Sequence, residues 1–223
     1  MLPSQTVENY LKTIYLAEAD LPSKKDLVPM GQLASTLGVV PGTATTMVKA
    51  LAESGLAKYE PYVGVRLTTA GEKLASLVLR RHRLIELFLV KVIGMSWAEV
   101  HDEAEQLEHA VSERLIERID DMLGRPEVDP HGDPIPSATG AISRPKHLDL
   151  LSAPLRTPLI VTRVIDQGAG FLRFAEQHDL TPGSAIVISA RDAGSDAVRF
   201  QSTAGRQTTI GTAAASKVLV RMG

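Results

Sequence analysis

The chain has no cysteine among its 223 residues. Disulfide bonds, thiol nucleophiles, iron–sulfur clusters and zinc sites built on thiolates are therefore excluded. Any metal ion that the protein binds must be held by histidine and carboxylate side chains.

Long apolar runs are also lacking. No window approaches the roughly 18 uncharged apolar residues of a membrane-spanning helix, and the N-terminal MLPSQTVENY lacks a basic start followed by an apolar segment. We therefore expect a cytoplasmic protein without a membrane partner. Walker loops, dinucleotide fingerprints and a Ser–His–Asp order are absent as well, so no enzyme motif is recognisable.

The net charge of −2 does not by itself indicate a nucleic-acid partner. The charges are nevertheless unevenly distributed. Residues 1–97 contain eleven Lys or Arg and eight Asp or Glu, whereas residues 98–135 contain three and twelve. Because acidic helix faces are usually just solvated, this asymmetry needs a second observation before it indicates a function.

The front of the chain has the element order of a winged helix–turn–helix. Three segments place apolar residues at helical spacing, and the second and third end at Gly38 and Gly55. AKYEPYVGVRLTTAG then alternates like a β-hairpin. In such a fold the second helix of the pair enters the major groove of DNA. The three helical segments are SQTVENYLKTIYLAEA, PMGQLASTLGVV and PGTATTMVKALAESGL.

The predicted recognition helix is small and rich in hydroxyl groups at its front. It could approach DNA closely, with hydroxyls for phosphates and methyl groups for thymine. Because it lacks Arg, Asn or Gln for bidentate base contacts, we expect modest direct readout. The alternative is a Thr-rich helix packed inside an enzyme. The candidate DNA-binding residues are Gly42, Thr43, Thr45, Thr46 and Lys49 in the helix, and Tyr62 and Arg66 in the hairpin.

A metal site is indicated by EVHDEAEQLEHAVSERL, residues 99–115. Read as one helix, it places His101, Glu105, Glu108 and His109 within an arc of roughly 100°, since each residue advances about 100°. Those side chains could reach a common point.

A second pair, His82 and Glu86, lies four residues apart on one face of the preceding long helix. Such a pair is by itself more often a surface hydrogen bond. Packing the two helices together, however, would bury three histidines and three glutamates near one seam, which is costly without a cation. Two neighbouring divalent-metal sites are therefore plausible.

The back of the chain changes character after the Pro- and Gly-rich stretch 125–145. Residues 157–223 contain short apolar or alternating runs separated by turn residues, a pattern typical of a small β-barrel. One helix, within GAGFLRFAEQHDLTPGS, interrupts the strands.

Four motifs occur together in a fixed order: VENYLKTIY, RRHRLIELFL, VHDEAEQLEHAVSE and DPHGDPIP. In these motifs the chain resembles the diphtheria-toxin-repressor family of metal-dependent transcriptional repressors, which includes iron-dependent regulators and manganese transport regulators. The resemblance implies an α+β homodimer that binds an inverted-repeat operator and controls metal homeostasis. It implies a winged helix–turn–helix (1–73), a helical dimerisation and metal-binding domain (74–140), a linker (141–156) and an SH3-like domain (157–223).

The resemblance also implies two metal sites. The primary, activating site would combine the end of helix one with the later helix, and the ancillary site would use the seam described above, completed by the C-terminal domain. Asp166 and Gln167 are candidates for that completion, with simple turn residues as the alternative. The implied primary ligands are Asn9 or Glu8, Glu105, Glu108 and His109, and the implied ancillary ligands are His82, Glu86 and His101.

Departures from the family pattern bear on the metal. Glu105 follows the manganese-type members, whereas Asn9 follows neither type. Lys12 stands where manganese-type members can carry a bridging Glu, so we expect a single ion in the primary site. Oxygen and imidazole ligands suit Mn(II) and Fe(II), and we expect manganese first and iron as the alternative.

Two further readings of function stay open at this point. One is a metalloenzyme that uses adjacent ions to activate water. The other is a structural metal protein that does not bind DNA. Among the remaining residues, His131 is interpreted as structural because it lies in a Pro-flanked turn, and Trp97 is expected to pack at the start of a helix.

Overall fold

The computed structural model describes residues 4–23, 25–143, 145–202 and 205–223. The chain folds into two compact units. The N-terminal unit comprises residues 1–82 and 136–142, and the C-terminal unit comprises residues 83–135 and 143–223. This division falls inside a helix, and the domain boundaries given above stay a prediction.

The N-terminal unit has the predicted order of three helices, a hairpin and a fourth helix. Ser4 caps helix α1, because its side chain accepts a hydrogen bond from the Val7 N–H at 3.4 Å. Gly38 and Gly55 follow the ends of α2 and α3, as expected. The elements are α1 (Gln5–Ala19), α2 (Met30–Thr36), α3 (Pro41–Glu53), β1 (Ala57–Glu60), β2 (Gly64–Leu67) and the larger part of α4 (Thr69–Phe88).

One core holds the N-terminal unit together. Leu11 and Ile14 of α1 are buried in the same cluster as Val48 of α3 and Val65 of β2. Gly64 has a φ of +157°, and a Cβ at this position would lie 2.5 Å from the Val28 carbonyl oxygen. Glycine is therefore required for the hairpin to pair with residue 28.

The helices of the C-terminal unit begin with the last turns of α4, which continue as a π-helical turn (Leu89–Ile93). Helices α5 (Val100–Leu107) and α6 (Glu113–Met122) follow. The single helix expected over residues 99–115 is thus wrong. The Ala110 N–H bonds to the Leu107 carbonyl in a tighter turn, and the Ser112 side chain then caps a new helix by accepting from the Leu115 N–H.

A six-stranded antiparallel sheet forms the rest of the C-terminal unit, in the order β3-β8-β4-β5-β6-β7. It confirms the predicted SH3-like barrel, and Leu159, Ile186 and Phe200 lie in its core. Trp97, from the loop before α5, is buried in this same core. The elements are β3 (Leu148–Asp149), β4 (Pro158–Val164), α7 (Ala169–Gln177), β5 (Ala185–Asp192), β6 (Ala197–Ser202), β7 (Gln207–Gly211), α8 (Thr212–Ala215) and β8 (Val218–Met222).

Within the described ranges, no helix is both long and apolar enough to cross a membrane.

A partly buried carboxylate joins α1 to the hairpin. Glu18 accepts a hydrogen bond from the Leu67 N–H at 2.6 Å. Burial is the main cause that raises the pKa of Glu18, and the nearby charge of Glu72 raises it further. The folded state therefore holds a proton on Glu18 more strongly than the unfolded chain does.

We predict that Glu18→Gln raises the melting temperature at pH 7.5, and that the gain shrinks as the pH falls towards about 4. The glutamine keeps an acceptor for Leu67 but removes the desolvated charge, whose cost grows as pH rises through the raised pKa. Differential scanning fluorimetry across this pH range measures the effect. A gain independent of pH would contradict the prediction.

Candidate metal centre and DNA-binding surface

The first candidate metal cluster lies at the carboxyl end of α5. Glu108 is fully buried, and its Oε1 lies 3.3 Å from His109 Nε2. Glu105, one turn earlier, places Oε1 3.8 Å from His101 Nε2. Because α5 ends at residue 107, Glu108 and His109 follow the helix end, yet donor atoms of Glu105 and Glu108 still lie within 4.8 Å of one another.

The second cluster surrounds Glu86 of α4, whose side chain is almost completely buried. His101 Nδ1 lies 3.3 Å from Glu86 Oε1, and His131 Nδ1 lies 3.8 Å from Glu86 Oε2. Donor atoms of Glu86, Asp129 and His131 all lie within 4.8 Å of one another. His131 Nδ1 has no hydrogen-bond partner among the described residues. We call Glu86, Asp129 and His131 the Glu86 set.

Negative charge is concentrated around the Glu86 set. Burial raises the pKa of Asp129 well above its usual range, and the charges of Asp133 and Glu86 raise it further. Arg83 opposes this effect, with Nε 3.5 Å from Asp129 Oδ2 and a terminal nitrogen 3.3 Å from Asp133 Oδ1. Arg163 also pairs with Asp133 at 2.5 Å. A divalent cation would offset the remaining desolvation cost, so the donors fit a metal.

The turn DPHGDPIP is ordered by its own side chains. Asp129 Oδ1 accepts hydrogen bonds from the His131 N–H at 2.8 Å and the Asp133 N–H at 3.0 Å. Gly132 has a φ of +86°, and a Cβ there would collide with the Thr162 carbonyl oxygen. The interpretation of His131 as structural stays a prediction, and the donor separations given above make this residue a candidate metal ligand as well. The Asp-x-His-x-Asp spacing was the signal that sequence reasoning missed.

The two candidates from α1 differ in their surroundings within the N-terminal unit. Glu8 Oε1 lies 2.5 Å from an Arg81 terminal nitrogen in a buried ion pair. The side-chain oxygen of Asn9 is buried and accepts no hydrogen bond from the part of the chain that the structure describes. His82 is also buried. It is the last α4 residue of the N-terminal unit and lies one helical turn before Glu86.

The two candidates from the barrel have other partners. Asp166 Oδ2 lies 2.8 Å from Lys217 Nζ, and this hydrogen bond is the main cause that lowers the pKa of Asp166. Gln167 donates from Nε2 to Asp133 Oδ2 at 2.6 Å. Gln167 thus contacts the turn that carries the Glu86 set, whereas Asp166 is held by a lysine.

Most of the candidate DNA-binding residues of α3 lie away from its buried face, which is formed by Ala44, Val48 and Leu51. Thr45 and Thr46 donate their hydroxyl hydrogens to the carbonyls four residues earlier, at 2.9 and 3.0 Å. In this state their oxygens can only accept. The described geometry therefore favours contacts in which the methyl groups pack on bases or the hydroxyl oxygens accept hydrogen bonds from bases. It disfavours hydrogen bonds donated by these hydroxyls to phosphates. Gly42, Thr43, Thr46 and Lys49 are exposed, and Thr45 is partly buried.

The hairpin carries the other two candidates. Tyr62, at its turn, is fully exposed and has a left-handed φ of +65°. Arg66, on β2, donates to the Asp26 carbonyl at 3.4 Å and is partly buried. Tyr62 is thus the more accessible of the two.

Comparison with known proteins identifies the family. The model of the iron dependent repressor N-terminal DNA-binding domain matches residues 3–65, and that of the metal binding and dimerisation domain matches residues 68–137. The iron-dependent repressor IdeR of Mycobacterium leprae is 32% identical over 187 residues, which cover 83% of this chain and 70% of IdeR. The chain belongs to the iron-dependent repressor family.

A second curated relative and a solved structure extend this comparison. The HTH-type transcriptional regulator MntR of Lysinibacillus sphaericus is 34% identical over 129 residues, covering 58% of this chain and 89% of MntR. A manganese-dependent transcriptional repressor solved with manganese superimposes with a TM-score of 0.87 at 37% identity, covering 97% of this chain and all of that chain. The predicted family and fold are confirmed. Family membership makes the protein a DNA-binding, dimerising transcriptional repressor and not an enzyme.

We predict opposite effects of replacing Asp129 in the absence and presence of metal. Asp129→Asn keeps an acceptor for the turn and removes a desolvated charge, so at pH 7.5 in chelator it should melt no lower than the wild type. Asp129→Ala, the matched control, removes the acceptor as well and should melt lower. With Mn²⁺ the wild type should gain more stability than Asp129→Asn. Melting curves with chelator and with Mn²⁺ measure both effects, and an equal gain would contradict this assignment.

Proposed function

We propose that the protein is a homodimeric repressor, activated by Mn(II) or Fe(II), that binds an inverted-repeat operator and controls metal homeostasis in the cytoplasm. One observation carries the proposal: a unit of a DNA-binding repressor buries glutamates and histidines as neighbouring donors, at Glu86, Glu108, His109 and His131. Neither a core nor a solvated surface requires such a combination.

The proposed primary ligands include one from α1. The buried oxygen of Asn9 favours this residue over Glu8, whose carboxylate is paired with Arg81. For the ancillary site, Asp129 and His131 extend the predicted set, and Gln167 and Asp166 remain candidates from the barrel. The proposed primary ligands are Asn9, Glu105, Glu108 and His109, and the proposed ancillary ligands are His82, Glu86, His101, Asp129 and His131.

The donors favour Mn(II) or Fe(II). A chain without cysteine offers oxygen and imidazole nitrogen, which suit both metals. The carboxylate of Glu105 and the similarity to a repressor solved with manganese support manganese as the first choice. A bound cation would supply the positive charge that neutralises the clustered carboxylates.

Helix α1 can link the donors to DNA binding. Leu11 and Ile14 pack α1 into the same core as α3, so a ligand supplied by Asn9 would restrain the orientation of the whole winged helix. A dimer needs its two recognition helices about 34 Å apart, or a multiple of this, to read an inverted repeat. Typical allosteric couplings are about 1–3 kcal/mol, and a nearly complete switch needs about 5.5 kcal/mol.

We predict that Glu108→Gln abolishes the effect of Mn²⁺ on operator affinity and leaves the weak binding in chelator unchanged. The amide keeps the shape of this buried side chain but removes its charge. Glu103→Gln, at an exposed position of α5, is the matched control and should respond to Mn²⁺ like the wild type. Fluorescence anisotropy with a labelled inverted-repeat duplex measures both. Full activation of Glu108→Gln would rule out the primary-site assignment.

A further inference from the structure

We infer that Trp97 is a positioning residue of the Glu86 set, and that it holds His131 with Nδ1 directed towards the two carboxylates. This inference rests on the proposed metal-binding function of the set. It assigns a role to a residue outside the ligand sets given above.

The carbonyl of Trp97 determines the tautomer of His131. His131 Nε2 lies 2.8 Å from this carbonyl oxygen, which can only accept, so Nε2 carries the hydrogen. The neutral imidazole then keeps its lone pair on Nδ1. Backbone carbonyls that accept a hydrogen bond from one ring nitrogen orient metal-binding histidines in the same way.

The free lone pair faces the carboxylates at distances that suit a shared ion. Nδ1 lies 3.8 Å from Glu86 Oε2 and 4.0 Å from Asp129 Oδ1, which is too far for hydrogen bonds. Ligands that each lie about 2.0–2.2 Å from one ion are separated by roughly 3–4 Å. The separations around Nδ1 therefore match a ligand position and not a hydrogen bond.

The indole ring fixes the imidazole plane. The rings of Trp97 and His131 are stacked, with centroids 5.6 Å apart and an angle of 27° between their planes. Trp97 is also anchored in the barrel core beside residues such as Leu159 and Phe200. The Val164 N–H of β4 bonds to the His131 carbonyl at 2.9 Å. The barrel thus supports His131 through its backbone and through its ring.

The polar group of the indole does not explain why this side chain is a tryptophan. Its Nε1–H is buried and has no acceptor in the described ranges, which disfavours folding. Phenylalanine would keep a ring for stacking and remove this donor, whereas alanine would remove the stacking. Trp97→Phe and Trp97→Ala therefore separate ring stacking from the rest of the side chain.

The test uses the full chain and Mn²⁺, with bound ions counted by electron paramagnetic resonance. We expect Trp97→Ala to lower the affinity for one Mn²⁺ ion by about 10–100-fold. This is the same ion whose affinity Asp129→Asn lowers. The other ion, whose binding is lost in Glu108→Gln, should bind to Trp97→Ala with an affinity within about threefold of the wild-type value. This second ion provides an internal control. The Mn²⁺ affinity of Trp97→Phe should stay within about threefold of the wild-type value at both sites. Equal losses in the Phe and Ala variants, or no loss in the Ala variant, would overturn the inference.

Two measurements on the wild type keep the inference testable if Trp97→Ala does not fold. Nitrogen-15 NMR of the histidine rings should show His131 protonated on Nε2 without metal, and protonation on Nδ1 alone would overturn the inference. Because Trp97 is the only tryptophan, its emission should change with Mn²⁺ in the wild type and in Glu108→Gln, but not in Asp129→Asn. Emission that follows only the Glu108-dependent ion would also overturn it.

The proposed function can fail separately. If Mn²⁺ neither binds the wild type nor changes its affinity for DNA, the proposed function fails, and this inference fails with it. If Mn²⁺ activates DNA binding through Glu108 but Trp97→Ala retains both ions at full affinity, only the role of Trp97 is refuted.

Discussion

The burial of carboxylates in the C-terminal unit is the constraint on which the rest of the structure depends. Glu86, Glu108 and Asp129 are each at most 4% exposed, and a carboxylate removed from water is costly unless positive charge is near. Arg83 and the neighbouring imidazoles offset part of this cost. A divalent cation would offset more, and this is the physical reason for proposing that these donors bind metal.

DNA binding and metal binding draw on different parts of the chain. The winged helix has its own core, centred on residues such as Leu11 and Val48, so it can stay folded when metal is absent. Under the proposed function, metal would then act on the arrangement of folded parts. Helix α1 is suited to this role, because one of its faces belongs to the winged-helix core and Asn9 presents a buried oxygen without a hydrogen bond in the described structure.

Periodicity allowed much of the fold and part of the site to be predicted. Donors on helices, such as Glu86 and Glu105, could be found because helical spacing fixes which side chains share a face. His131 could not be placed in this way, because its position depends on the Asp129 side chain and on pairing with β4. The break after α5 depends on Ser112, which caps α6. The prediction of one helix over residues 99–115 overlooked this local signal.

The most direct test of the account is a titration of a fluorescent inverted-repeat duplex with the wild-type protein under anaerobic conditions at fixed salt. Chelator, Mn(II), Fe(II) and Zn(II) are compared. We predict weak binding in chelator and at least tenfold tighter binding with Mn(II) or Fe(II), which corresponds to about 1.4 kcal/mol of coupling. Equal affinity with chelator and with both metals would contradict it, because the buried carboxylates would then not control DNA binding.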